Sequence, residues 1–211
     1  MLASRSRRDK RHQETRDDVL RAARRLVKER GAENLTMREV ARGTGLTAPA
    51  LYRYFEGGKE EIILALARQD LDLIAAHLRK VPADLPPDER LVELGLAYLD
   101  FARRHPDEFD LLLANLSAVG SLDVESGMQT LTLSPLLGII DDAIREGIAA
   151  GTLRADSEDD VMLMWHGAWA LVHGLVAVER TNEHHKELFR TRARDILRAF
   201  VNGLKTDWTS G

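Results

Sequence analysis

The chain has 211 residues, 44% of them hydrophobic and 30% charged, a composition that excludes a disordered or fibrous class. It has no cysteine, which excludes a disulfide framework and any thiolate metal or iron–sulfur site. The net charge of −4 hides an asymmetry: residues 1–55 hold 14 Lys and Arg against 7 Asp and Glu, and the rest of the chain holds 16 against 27. A basic head on an acidic body suits a protein that meets a polyanion at one end only. No secretory leader and no run of about 18 apolar residues is read, so a cytoplasmic protein without a membrane span is expected.

In chain order, residues 1–14 are polar, carry Arg5, Arg7, Arg8, Lys10 and Arg11, and read as a basic flexible arm. A first helix is predicted from Thr15 to Arg30, opened by Thr15 and Asp18 at capping-box spacing and stopped by Gly31. Thr36 and Glu39 repeat that spacing and open a helix of barely two turns, Met37 to Arg42. Gly43 and Gly45 bracket a tight turn, after which Thr47 caps a third helix, Ala48 to about Tyr54, with Pro49 tolerated in its first turn. Helices this short are held only by a shared core, for which Met37, Val40, Ala41, Leu46, Leu51 and Phe55 are the candidates. A long helix follows from Lys59 to about Lys80, then a proline-rich loop to Pro87. Further helices are expected over residues 88–104, 106–118, 135–149, 157–180 and 183–205, while residues 119–134 read equally as helix or loop. The fold expected is all-α, a three-helix head on a helical body, with about nine helices in total.

Two short helices joined by a tight turn form a helix-turn-helix. The second helix of such a pair must enter a major groove about 12 Å wide, so its leading face has to be small. Thr47, Ala48, Pro49 and Ala50 meet that demand: Thr47 can bond a base edge or phosphate, and the other three offer at most apolar contact to thymine methyls. Tyr52, Arg53 and Tyr54 supply phosphate or edge contacts; alternatively the two tyrosines only fill the gap to the body. Arg8 and Arg11 of the arm could enter a minor groove, follow the backbone, or do neither.

The run Leu35-Thr36-Met37-Arg38-Glu39-Val40-Ala41 through Gly45-Leu46-Thr47, with Leu51-Tyr52-Arg53-Tyr54-Phe55 and Lys59-Glu60, resembles the DNA-binding head of the TetR family of transcriptional regulators. The likeness covers roughly residues 15–64. It implies a homodimer on a near-palindromic operator, usually a repressor released by a small molecule. It also implies that the third helix is the recognition helix, with Tyr52, Tyr54 and Lys59 on the phosphate backbone; Thr36 is a further candidate DNA contact. Two departures stand out. Three residues, Glu56-Gly57-Gly58, separate the aromatic from the lysine where the family usually has two, and Pro49 and Ala50 stand where a glycine or polar residue is common. The recognition helix is therefore poor in hydrogen-bonding readers, and affinity is expected to lean on phosphates and shape.

The body offers no catalytic set, and the expectation is a protein that is not an enzyme. The histidines are scattered, no His-x-x-x-His or His-Glu-x-x-His occurs, and no phosphate-binding or nucleophile-elbow motif is found, so no metal and no cofactor are expected. Trp165, Trp169 and His173 share a helix face, which could line a ligand cavity or pack at a dimer seam. The segment Trp165-His166-Gly167-Ala168-Trp169 through His173-Gly174-Leu175 resembles the Trp-x-x-x-His-Gly feature of one class of TetR-family C-terminal domain. The candidate cavity residues are Leu94, Tyr98, Phe101, Phe109, Leu112, Leu116, Leu133, Leu137, Ile140, Trp165, Trp169 and His173, mostly apolar, so an apolar or amphipathic effector is expected. Gly167 and Gly174, seven apart, together with Leu188, Ile196 and Phe200, are the candidates for a dimer seam.

The resulting organisation is an arm at 1–14, a helix-turn-helix domain at 15–58, and an effector-binding and dimerisation domain at 59–211. The expected function is a dimeric, ligand-released repressor on double-stranded DNA. A ligand-independent regulator or activator of the same fold, or a helical interaction protein without DNA binding, are the alternatives.

Overall fold

The computed structural model describes residues 2–120, 135–181 and 183–205, with side chains over 9–113, 135–181 and 183–205. Among these residues the fold is all-α, as expected. The helices are α1 (Leu2–Arg30), α2 (Met37–Thr44), α3 (Ala48–Tyr52), α4 (Gly58–Leu78), α5 (Pro87–Arg104), α6 (Pro106–Gly120), α7 (Pro135–Ala149), α8 (Glu158–Glu179) and α9 (Glu183–Asn202). The only extended pairing among the described residues is an isolated antiparallel bridge between Leu153 and Lys205. The chain divides into two compact units, residues 1–71 with 107–133, and residues 72–106 with 134–211.

The first unit is built on α1, and here one expectation is corrected. No flexible arm precedes the helix: α1 runs unbroken from Leu2. The segment holds no Gly or Pro, and its Arg, Lys, Gln and Glu are good helix formers even with no surface to bury. Thr15 is accordingly not a cap. Its hydroxyl donates back to the Arg11 carbonyl at 2.9 Å, and Gln13 bonds Asp17 one turn on. Further along, Val19, Leu20, Ala23 and Val27 enter a core with Ala32, Leu35, Val40, Ala41, Leu51 and Phe55. Ile62, Ile63, Leu66 and Ala67 of α4 and Leu111 of α6 complete it. The first unit thus extends beyond residue 58, because the first half of α4 is the lid of this core.

Polar ties reinforce the apolar packing. Arg16 of α1 donates to the Tyr54 carbonyl, pairs with Glu61 at 3.2 Å, and lies 4.1 Å from the centre of the Phe55 ring. Arg24 reaches the buried carboxylate of Asp70. These contacts link α1 to α4 and to the turn between α3 and α4.

The second unit packs α5 against α7, α8 and α9, with α8 also touching α7 and α9. Val92, Leu94, Leu99, Ile144, Val161, Met164, Val172, Leu197 and Val201 are buried among them. Glu179, buried at the end of α8, is held by Arg103 of α5, whose Nε donates at 3.0 Å. The last helix stops at Asn202, short of the expected Lys205, because Leu204 turns to accept from the Arg154 backbone N–H at 2.9 Å.

A second correction concerns α8. By length and composition it is apolar enough to cross a membrane, with a mean hydropathy of 1.6, whereas no such run was expected. Only 28% of that stretch is buried inside the chain. Val161, Met164, Val172, Leu175 and Val176 face inward, and Met162, Leu163, His166, Trp169, Ala170, Gly174 and Ala177 are exposed.

Candidate nucleic-acid interface and effector cavity

The helix-turn-helix is locally over-determined. Thr36 caps α2, its hydroxyl accepting from the Glu39 N–H at 3.3 Å and donating to the Glu39 carboxylate at 2.7 Å. That hydroxyl, with Arg30 nearby, holds the Glu39 carboxyl below its usual range. The helix ends two residues later than predicted, at Thr44, in a Schellman closure: Leu46 N–H bonds the Ala41 carbonyl at 3.0 Å and Gly45 N–H bonds Arg42. Gly45 has φ of 70°, a left-handed conformation that a side chain resists.

Thr47 then caps α3, accepting from the Ala50 N–H at 3.3 Å. This helix ends at Tyr52 rather than Tyr54, since the Tyr54 and Phe55 N–H groups both turn back onto the Leu51 carbonyl. Leu51 is fully buried and anchors α3 to the core. On the opposite side Thr47, Pro49, Tyr52 and Arg53 are exposed. Ala50 is half-buried, and Ala48 packs against the core of the unit, so the free face is narrower than the four-residue face expected. Tyr54 is half-buried, its ring 4.8 Å from that of His12.

The extra residue before Lys59 is absorbed by a turn. Gly58 N–H bonds the Phe55 carbonyl at 3.0 Å, Gly58 takes φ of 68°, and α4 starts there, one residue early. Glu61 reaches back to the Gly57 N–H at 3.0 Å. Lys59 donates to the Glu33 carbonyl at 2.9 Å, which leaves its ammonium two further donors. Arg11 is exposed, and Arg8 lies outside the described side chains. Two cations missed in the sequence reading are Arg38 and Arg42 on α2. With Arg53 they are exposed and form no ion pair among the described residues. Of the seven other arginines of the unit with described side chains, Arg16, Arg21, Arg24 and Arg30 are paired, and Arg11, Arg25 and Arg68 join no ion pair among the described residues. Only contact geometry separates the two sets.

In the second unit an apolar cavity of about 60 Å³ opens between α5, α7, α8 and α9 and the end of α4. Its wall includes Leu78, Leu91, Leu94, Gly95, Tyr98, Leu136, Ile140, Ile144, Met164, Trp165, Trp169, Leu197 and Phe200. Of the predicted residues, Leu94, Tyr98, Ile140, Trp165 and Trp169 line it. Leu137 does not: Leu136, Ile140 and Ile144 recur at four-residue spacing, and Leu137 is turned about 100° from that row. Phe101 is buried one turn beyond Tyr98, against the rings of His77 and His105. Phe109 and Leu112 belong to the first unit, Leu116 lies outside the described side chains, and Leu133 lies outside the described residues.

His173 stands behind the wall. Its Nε2 is 2.8 Å from the Tyr98 hydroxyl and its Nδ1 is 2.9 Å from the Trp169 carbonyl. Burial pushes the imidazole below its ordinary pKa, the carbonyl contact opposing this, and burial raises the Tyr98 phenol. Trp165 and Trp169 stack with centroids 6.5 Å apart.

Two of the predicted seam residues meet each other within the chain. A Cβ on Gly167 would come within 3.1 Å of the Phe200 ring, so these two pack on each other between α8 and α9 of one chain. Gly174 differs: nothing among the described residues lies within 4 Å of its Cβ position. Leu188 is exposed and Ile196 half-buried on α9.

Comparison with known proteins agrees with this geometry. Residues 19–66 match the bacterial regulatory proteins of the tetR family, and residues 91–204 match the tetracyclin repressor-like C-terminal domain. An HTH-type transcriptional regulator of Staphylococcus aureus strain USA300 is 28% identical over 86 residues, covering 41% of this chain. The chain spans 46% of that relative's length. Among solved structures, a tetR-family transcription regulator from Shewanella sp. PV-4 is similar with a TM-score of 0.73 at 18% identity, covering 91% of this chain and 98% of that one. Salmonella enterica GusR is similar with a TM-score of 0.66 at 22% identity, over 90% and 95%. The ketosteroid regulator KstR2 of Mycobacterium tuberculosis has a TM-score of 0.55 at 22% identity, over 91% and 95%. At these identities the solved structures speak for the fold alone. The two family matches together span both units, and the chain belongs to the TetR family of DNA-binding, helix-turn-helix transcriptional regulators.

Proposed function

We propose that the chain is a repressor that binds a near-palindromic operator as a homodimer and is released by a small apolar or amphipathic effector. The observation that carries the DNA-binding half is the exposed, capped face of α3, with Thr47, Pro49, Tyr52 and Arg53 exposed beside Arg38 and Arg42, which form no ion pair among the described residues. Thr47 reads a base edge, Pro49 and Ala50 meet thymine methyls, Tyr52, Arg53, Tyr54 and Lys59 bind phosphates, and Thr36 contributes by capping α2. Arg8 and Arg11, in the basic N-terminal part of α1, add contacts to the phosphate backbone.

The dimer forms on the uncovered stripe of α8, where Met162, His166, Trp169, Ala170, Gly174 and Ala177 recur at helical spacing, together with Leu188 and Ile196 of α9. Small residues there let a second copy of the helix approach closely. The effector occupies the apolar cavity lined by Tyr98, Trp165 and Trp169. Its arrival is felt at Leu78, the last residue of α4, whose first residues carry Lys59 and the lid of the head core. Binding at one end of a continuous helix then shifts the population of DNA-competent dimers.

Footprinting the purified chain on the DNA upstream of its own gene, with and without a panel of lipophilic compounds, tests this. Protection relieved by a compound supports a ligand-released repressor. Protection that no compound relieves points to the ligand-independent regulator, and absence of protection to a protein without that operator.

A further inference from the structure

Trp165 sits in the wall of the cavity, and its indole Nε1–H is buried with no acceptor among the described residues. Buried donors are nearly always paired, so an orphan in a cavity wall needs a reason. The other orphan among the described residues, Arg90 Nε, belongs to a guanidinium already held by Glu146 at 2.6 Å, whereas an indole has one donor and nothing else. Around Trp165 the wall is aliphatic and aromatic, with no Lys, Arg, His, Asp or Glu lining it among the described residues. The other polar group of the wall, the Tyr98 hydroxyl, has committed its proton to His173.

We propose that the effector is an uncharged molecule with an apolar body and a neutral acceptor oxygen of carbonyl or ether type, and that Trp165 Nε1–H is the donor that binds this oxygen. This rests on the reading above that the cavity takes an effector. A carboxylate or ammonium would lose its hydration with no counter-charge among the described residues of the wall. A hydrocarbon of the same shape would offer the indole N–H no acceptor. A volume of about 60 Å³ holds only a few waters, so a ring-sized ligand displaces a wall residue on entry. Trp169, 41% exposed and stacked on Trp165, is the residue that can yield without opening the core.

The test uses the full chain and three probes: cyclohexanone, methylenecyclohexane, which replaces the oxygen by CH2, and cyclohexanecarboxylate. Indole N–H resonances are followed by NMR, with that of Trp165 assigned by its loss in Trp165→Phe, and affinities are measured by calorimetry. Cyclohexanone is expected to move the Trp165 resonance downfield. Its affinity relative to methylenecyclohexane is expected to fall about tenfold in Trp165→Phe, and the carboxylate is expected not to bind. An unmoved resonance with the same ketone-to-hydrocarbon ratio in both proteins overturns the role of Trp165 but leaves the cavity as an effector site. Tightest binding of the carboxylate overturns the uncharged class. If none of the three binds while operator DNA is still bound, the cavity reading itself falls, and this proposal with it.

Discussion

The Tyr98 hydroxyl on α5 donates a hydrogen bond to His173 Nε2 on α8 across 2.8 Å, and this pair fixes the tautomer of the imidazole. The Trp169 carbonyl, 2.9 Å from Nδ1, can only accept, so Nδ1 carries the proton and Nε2 takes one from tyrosine. The backbone of the helix that holds Trp169 is thereby tied to the cavity-lining face of α5.

Removing the hydroxyl breaks this tie. Tyr98→Phe leaves a buried ring nitrogen without its donor, and is expected to cost about 1–2 kcal/mol. For a chain of this size that corresponds to a fall in Tm of about 2–8 °C by calorimetry. Operator affinity at a temperature well below the transition is expected to stay the same, since the residue lies far from the recognition face in sequence and belongs to the other unit.

The same pair gives a pH dependence with a definite sign. Burial lowers the His173 pKa in the folded chain, so on acidification the unfolded chain binds the proton first. The stability contributed by neutral His173 is complete above the unfolded value, about 6.5, and declines as pH falls from there towards the lower folded value. Tm is expected to drop more steeply below pH 6.5 in the parent than in His173→Gln, which keeps a donor and an acceptor but does not titrate. Parallel Tm–pH curves would contradict this.

In the head, two kinds of arginine separate. Arg42→Ala and Arg53→Ala each remove a free cation and are expected to lower the slope of log affinity against log salt by about 1, weakening all sequences alike. Arg16→Met acts differently, because Arg16 supports the Tyr54 carbonyl, Glu61 and the Phe55 ring. It is expected to weaken operator binding by misplacing Tyr52 and Arg53 while leaving that slope unchanged. Fluorescence anisotropy over a salt series measures both.

The uncovered stripe of α8 makes a further prediction. Gly174 is exposed with open space at its Cβ position, so Gly174→Arg leaves the chain folded. In the proposed seam the guanidinium is buried against its own copy, and sedimentation is expected to show a monomer with unchanged helical content. Operator affinity is expected to fall at least about 100-fold through loss of the second half-site.

Much of this was legible in the sequence for identifiable reasons. Thr36, Gly45 and Thr47 carry the turn chemistry of the helix-turn-helix, and each does in the structure what its spacing predicts. Periodicity placed Trp165, Trp169 and His173 on one face. It could not tell which neighbour covers that face. Gly167 and Gly174 are equivalent by spacing, yet one meets Phe200 and the other meets nothing, because coverage depends on where α9 lies. Polar composition could not distinguish a solvated helix from coil at residues 2–14. Pairings such as Arg16 with Glu61, 45 residues apart, have no local signal at all, and they decide which cations remain for DNA.

The central claim is a dimer reading two half-sites, and selection of bound sequences from random duplex DNA tests it most directly. The account predicts enrichment of an inverted repeat whose half-sites are centred about one helical turn, roughly 34 Å, apart. Selection of a single unrepeated site, or no enrichment together with retention that does not depend on salt, would contradict it.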